Sequence, residues 1–163
     1  MALSILKGLL QGYVQSLFDE GIVNDQFSHI QSLKSAEKPD SVVQFISMYC
    51  DDVGAIISEL KSYIDLPDVD FSRLAAEARK VEEKSLRIGA EHMRLACADL
   101  IQACEENNKE NFSRALKWMK NEFVRTRSKL ESFAQMERRI IRLESRPPHD
   151  KCVCSSKSSS SCG

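Results

Sequence analysis

Residues 112–133 read FSRALKWMKNEFVRTRSKLESF, and their spacing decides the fold. Phe112, Leu116, Met119, Phe123, Thr126, Leu130 and Phe133 recur at alternating steps of four and three, which lays one apolar stripe along a helix. The pattern continues to about Leu143, a rod roughly 50 Å long at 1.5 Å per residue. Working back along the chain, Ala90, Met93, Cys97, Leu100 and Cys104 repeat the same steps, and so do Phe71, Leu74, Ala78, Val81, Ser85 and Ile88. Asp70 is placed to cap the latter helix, and Gly89 marks a break or a close backbone contact after it. Val42, Phe45, Tyr49, Val53, Ile56, Leu60 and Tyr63 form another stripe. Its helix opens at Pro39–Asp40–Ser41, with Ser41 and Gln44 spaced as a capping box. It closes at Leu66–Pro67–Asp68, because the residue before proline resists the α region. Asn107–Asn108 reads as a turn.

Two shorter patterns precede these. Leu3, Leu6, Leu10, Tyr13, Val14, Leu17 and Phe18 share a helical face that stops at Gly21. Asn24 then caps a short helix reaching about Leu33, with Phe27, Ile30 and Leu33 at spacing three. No run of alternating β-branched residues appears between turn signals. The expected fold is all-α. The stretches 40–66, 70–88, 90–107 and 109–143 form an antiparallel four-helix bundle, and two additional N-terminal helices flank it. The long stripe would also suit a coiled-coil dimer. Four similar stripes joined by short connections can bury one another within one chain, so a monomer is expected.

Composition bounds the function classes. The chain has 163 residues, with 23 Lys and Arg against 24 Asp and Glu, a net charge of -1. That balance argues against a strongly cationic nucleic-acid binder. No stretch approaches the ~18 apolar residues of a membrane span. Lys7 interrupts the apolar start and no basic segment precedes it, so a secretory signal is not expected. Residues 1–69 carry four lysines against ten acids, whereas residues 111–143 carry nine Lys and Arg against three Glu, with Trp118 among them. A solvated helix face explains that basic run without nucleic acid. From about Ser145 the sequence turns to SRPPHDKCVCSSKSSSSCG. It lacks the apolar surface to offset ordering entropy, so residues 1–144 are expected as the domain and 145–163 as a disordered Ser/Cys-rich tail.

Candidates for chemistry are few. HExxH, CxxC, GxSxG and glycine-rich phosphate loops are absent. Cys50, Cys97 and Cys104 fall inside helical stripes and read as reduced core residues. His149, Cys152, Cys154 and Cys162 are soft ligands, but their spacing in a serine run is a weak zinc signal, and no metal or cofactor is expected. The tail cysteines also offer weak sites for lipid modification or oxidation. His29 and His92 have no acidic partner at a diagnostic spacing in sequence.

Residues 70–97, DFSRLAAEARKVEEKSLRIGAEHMRLAC, resemble the core of the plant histidine-containing phosphotransfer proteins. In that family an Asp-Phe pair is followed, after seven residues, by the phosphorylated histidine in a His-Gln-x-Lys-Gly-Ser-Ser-x-Ser-x-Gly-Ala pattern. Asp70, Phe71, Ser85, Ile88, Gly89, Ala90, Ala96 and Cys97 match without a gap. LFDEGIVNDQF at 17–27, PDSVVQFISMYCDDV at 39–53 and CEENNKENFSRAL at 104–116 are similar to the family as well. The likeness spans about residues 9–143. It implies Arg79 at the position of the phosphoaccepting histidine, Lys80 for the following Gln, Glu82 for the Lys and Glu83 for the Gly. Lys84 and Arg87 stand at two of the serine positions. The chain thus looks like a pseudo-phosphotransfer protein.

The chemistry of those residue types supports an inactive site. A phosphoryl carrier needs a nitrogen lone pair, which neutral imidazole has and guanidinium lacks. Glu82 would repel phosphoryl oxygens that the family Lys attracts. A like charge at ~4 Å costs about 1 kcal/mol in water and about 4 kcal/mol at an effective dielectric of 20. Glu83 fills space that the family Gly leaves to a partner backbone. At 100° per residue Arg79 lies on the exposed flank of its helix, and Glu83 and Leu86 follow it at i+4 and i+7.

The resemblance implies a non-enzymatic adaptor in a two-component, cytokinin-type phosphorelay of cytoplasm and nucleus. Its expected partners are the receiver domains of hybrid histidine kinases and response regulators, docking on Arg79, Lys80, Glu82, Glu83 and Leu86. Competition with active phosphotransfer proteins would damp the signal. Two alternatives stand beside this reading: a relay mediator using another histidine, His29 or His92, and a structural helical module unrelated to phosphorelay.

Overall fold

The computed structural model describes residues 2–145. The predicted tail beyond Ser145, with His149, Cys152, Cys154 and Cys162, lies outside them. Six helices follow in order: α1 (Ala2–Asp19), α2 (Asp25–Ser32), α3 (Ser41–Ile64), α4 (Phe71–Ile88), α5 (Glu91–Glu105) and α6 (Lys109–Glu144). Helix α4 packs on α3 and α5, and α6 packs on α5 and α3. Those four therefore close a bundle in the cyclic order α3, α4, α5, α6. Helix α1 lies along α6, and α2 against α4. The only β-type pairing among the described residues is an isolated antiparallel bridge between Val23 and Ala90. The fold is the all-α bundle with two additional helices that the stripes predict.

The stripes fill the core as their spacing requires. Phe112, Leu116, Met119, Phe123, Thr126, Leu130 and Phe133 are all buried. Phe133 meets Phe27 edge-on, with ring centroids 5.2 Å apart, which fastens α2 to the long helix. Helix α3 buries more than one stripe, because Ile46, Cys50, Ile57 and Ile64 join the expected positions. A helix wedged between two neighbours needs the wider apolar face. Phe45 and Tyr63, at the edges of that face, are only partly buried.

The caps agree with the sequence at α2 and α4 and differ at α3, and at α6 the predicted Asn107–Asn108 turn also supplies the cap. Asn24 accepts a hydrogen bond from Gln26 N, Asp70 accepts from Ser72 N and Arg73 N, and Asn108 accepts from Asn111 N. The Ser41–Gln44 capping box does not form. Asp40 precedes the helix with φ -94° and ψ 11°, and its carboxylate accepts from the Gln44 side chain at 3.4 Å instead of from a backbone N–H. An N-cap side chain reaches its N–H groups from an extended backbone, which Asp40 lacks. Leu33, at the same spacing as Phe27 and Ile30, is 65% exposed. Each step of three falls short of a full turn, so two of them rotate Leu33 about 120° away from the buried Phe27.

Candidate functional site

The candidate site is the outer face of α4, and both ends of that helix are tightly set. Asp70 fixes the start. At the finish Ser85 O accepts from both Gly89 N and Ala90 N at 2.9 Å. Gly89 takes φ +83°, and a Cβ there would lie 2.7 Å from Phe27 N and 2.8 Å from Asn24 Oδ1. Only glycine allows this left-handed turn and this close approach together. Asn24 N then donates to Gly89 O at 2.9 Å, so the α2 cap and the end of α4 share one joint. Beneath the face, Leu74, Ala75, Ala78, Val81, Ser85 and Ile88 are buried. Ser85 Oγ and Tyr49 Oη satisfy each other at 2.8 Å inside the core. Burial is the main reason that the Tyr49 phenol titrates well above its ordinary range.

Outside, Arg79, Lys80, Glu83 and Leu86 are exposed, whereas Glu82 is half-buried. Arg79, Glu83 and Leu86 form one row, as the helical spacing predicts. Arg79 comes within 3.9 Å of Glu105 on α5, and both side chains are more than half exposed. Such a contact is screened by water and holds the guanidinium only loosely. Lys80 does not join the row: its ammonium bonds to Glu77 at 2.8 Å, which raises its pKa. Arg94 on α5 is held protonated first by its hydrogen bond to Glu91 and further by the charge of Glu82. Lys84 reaches Asp52 of α3 at 3.3 Å. The five residues singled out from sequence thus share one face but not one cluster.

A pocket flanking this face was not evident from sequence. Phe45, Met48, Asp52, Lys84 and Arg87 line a shallow pocket of about 70 Å³ between α3 and α4. Arg87 sits over the Phe45 ring at 5.9 Å, and Met48 is 62% exposed. Met48 lies off the apolar period of α3, and an apolar residue out of period is the signal that marks it in the sequence. Glu105 carried no such signal, because only the packing of α5 on α4 brings it to Arg79.

The two histidines among the described residues lie elsewhere. His29 is exposed on α2. His92 is half-buried, with Nδ1 3.2 Å from Glu122 Oε1. Its Nε2 lies against the Gly21 turn, where a Cβ would come within 3.1 Å. Sequence spacing gave no hint of that acidic neighbour, which comes from α6. Among the described residues, no group of three or more His, Cys, Asp or Glu is placed to hold a metal ion. No described helix is long and apolar enough to cross a membrane.

Comparison with known proteins settles the family. Histidine-containing phosphotransfer protein 1 of Arabidopsis thaliana is 32% identical over 132 residues, covering 81% of this chain and 86% of that protein. The chain belongs to the histidine-containing phosphotransfer family. Pseudo histidine-containing phosphotransfer protein 2 of rice is 28% identical over 143 residues, 88% of this chain and 91% of that protein. The family as matched here therefore includes members named for the histidine and members named as pseudo forms. A maize histidine-containing phosphotransfer protein of known structure superposes with a TM-score of 0.78 at 32% identity, covering 83% of this chain and 99% of that one. No protein-family model matches the chain.

Proposed function

We propose that this protein is a pseudo-phosphotransfer adaptor, docking on receiver domains without accepting their phosphate and thereby damping a two-component phosphorelay. The observation that carries the reading is Arg79, an exposed guanidinium at the centre of the α4 face. The resemblance assigns that position to the phosphoaccepting histidine. A guanidinium offers donors and no lone pair, so it can pair with the carboxylates of a receiver pocket but cannot carry phosphoryl. Glu83, exposed one turn further on, adds a charge that opposes phosphoryl oxygens. Well-set helix ends and a buried Tyr49–Ser85 pair keep the face rigid enough to dock.

A relay through another histidine is less well supported. Both ring nitrogens of His92 face protein, Glu122 on one side and the Gly21 turn on the other. His29 is exposed but is followed by Ile-Gln-Ser-Leu, without the lysine and glycine that follow the family histidine. The proposed setting is the cytokinin-type relay of cytoplasm and nucleus, with hybrid histidine kinases and response regulators supplying the receivers.

The test has two arms. Incubation with a radiolabelled phospho-receiver should leave this protein unlabelled; phosphoramidate on any described histidine would end the inactive-site reading. Pull-down against a panel of receiver domains should capture some of them, in competition with an active family member. Failure across the panel would leave a helical module outside the relay.

A further inference from the structure

We propose that the face formed by α5 and α6 pairs with a second copy of this chain about a two-fold axis running along the helices. This face is not the α4 row, because α6 stands diagonally across the bundle from α4. Between α5 and α6 lies an open groove of about 410 Å³, with Asp99 and Glu106 on one wall and Arg114 and Trp118 on the other. Trp118 is 38% exposed and Leu95, one turn before Asp99, is 43% exposed. Tryptophan and arginine are the residues most enriched at the energetic centres of protein interfaces.

Register makes the face self-complementary. His92 on α5 faces Glu122 on α6 at 3.2 Å. Seven residues along α5 is Asp99 and seven back along α6 is Ala115, and both line the groove. Antiparallel packing therefore sets Arg114 level with Asp99, and Trp118 level with Leu95. Asp99 and Glu106 have no ion-pair partner among the described residues. Arg114 has only a 3.9 Å contact with exposed Glu110 and a bond to Asn111. In the groove itself the acids Asp99 and Glu106 stand on α5 and its C-cap and the base Arg114 on α6, with Glu110 one turn before it.

A two-fold along the helices lays α5 on the other copy's α6. Each Asp99 then meets the partner's Arg114, and each Leu95 meets the partner's Trp118. A two-fold across the helices would set Asp99 against the partner's Asp99, and like charges disfavour it. Helix α5 is about 22 Å long, so the contact is at the small end of specific interfaces and the dimer is concentration-dependent.

Sedimentation of the full chain under reducing conditions, from about 10 µM to about 1 mM, tests this. A reversible monomer–dimer equilibrium is expected. Trp118→Glu and Asp99→Arg should each weaken it by about tenfold or more. Adding Arg114→Asp to Asp99→Arg should restore association, because the pairs re-form with reversed sign. These side chains are exposed, and far-ultraviolet circular dichroism checks that each variant keeps its helices. A single monomeric species at the highest concentration overturns the proposal. So does a dimer that neither substitution weakens, or a charge swap that fails to restore one; the former would assign dimerisation to another face.

Discussion

An Arg79→His substitution would return a nitrogen lone pair to the exposed row of α4, and transfer should still not follow. Glu83, one turn on, repels phosphoryl oxygens. Glu82, half-buried on the same helix at the position that the resemblance gives to the family lysine, adds a second carboxylate. Label transfer from a phospho-receiver should stay at background for the single variant; robust transfer would mean the electrostatic opposition is overweighted. Gly89 is sensitive for a different reason. Gly89→Ala forces a side chain onto φ +83° and within 2.7 Å of Phe27 N, so a loss of about 2 kcal/mol or more is expected in urea denaturation. Gly89 was legible in sequence as a break or close contact, because few residues tolerate that geometry. Glu105 was not, since nothing in its own segment points at Arg79.

Among the elements, α2 depends most on what it is joined to. It is eight residues long, too short to hold itself helical in water. Asn24 caps it, and the Asn24 amide also donates to Glu91 Oε1 at 2.9 Å, while Arg94 clamps the same carboxylate with two bonds. Those bonds, Arg94 first and Asn24 second, hold the Glu91 carboxyl down at about 2 against an ordinary value of 4.5. A depressed carboxyl contributes stability that is complete above the unfolded value and fades as pH falls through the folded one. The stability difference between the parent protein and Glu91→Gln should therefore be largest above pH 4.5 and shrink toward pH 2, read from urea midpoints across that range. A constant difference would mean the clamp does not depend on the charge. Helix existence was legible throughout, because each stripe repeats over several turns. The α3 start was legible at Pro39–Asp40–Ser41, but its cap was not, because the capping-box spacing at Ser41 and Gln44 says nothing of the backbone angles at Asp40. The end of α2 was legible to within one residue, since Leu33 is its C-cap, but the exposure of that leucine was not.

For the whole molecule, the bundle makes a chemical statement about its sulfur. Cys50, Cys97 and Cys104 are free and buried. Burial is the first cause that lifts their thiols to about 11, 12 and 11. Thiolate is the nucleophile, so these three should resist iodoacetamide at neutral pH in the native protein and react on denaturation. Peptide mapping checks this residue by residue; rapid native labelling at Cys97 would contradict the packing. The amino-terminal helices are riveted to the rest by separate fastenings. Val23 bridges Ala90, Glu91 N donates to Ile22 O, Phe27 meets Phe133, and Lys34 pairs with the buried Glu137 at 3.0 Å. The exposed stretch from Ser35 to Lys38 carries none of them. A protease cutting there would sever the backbone without releasing a piece. The two fragments should travel as one particle through a sizing column, and made separately they should find each other again when mixed.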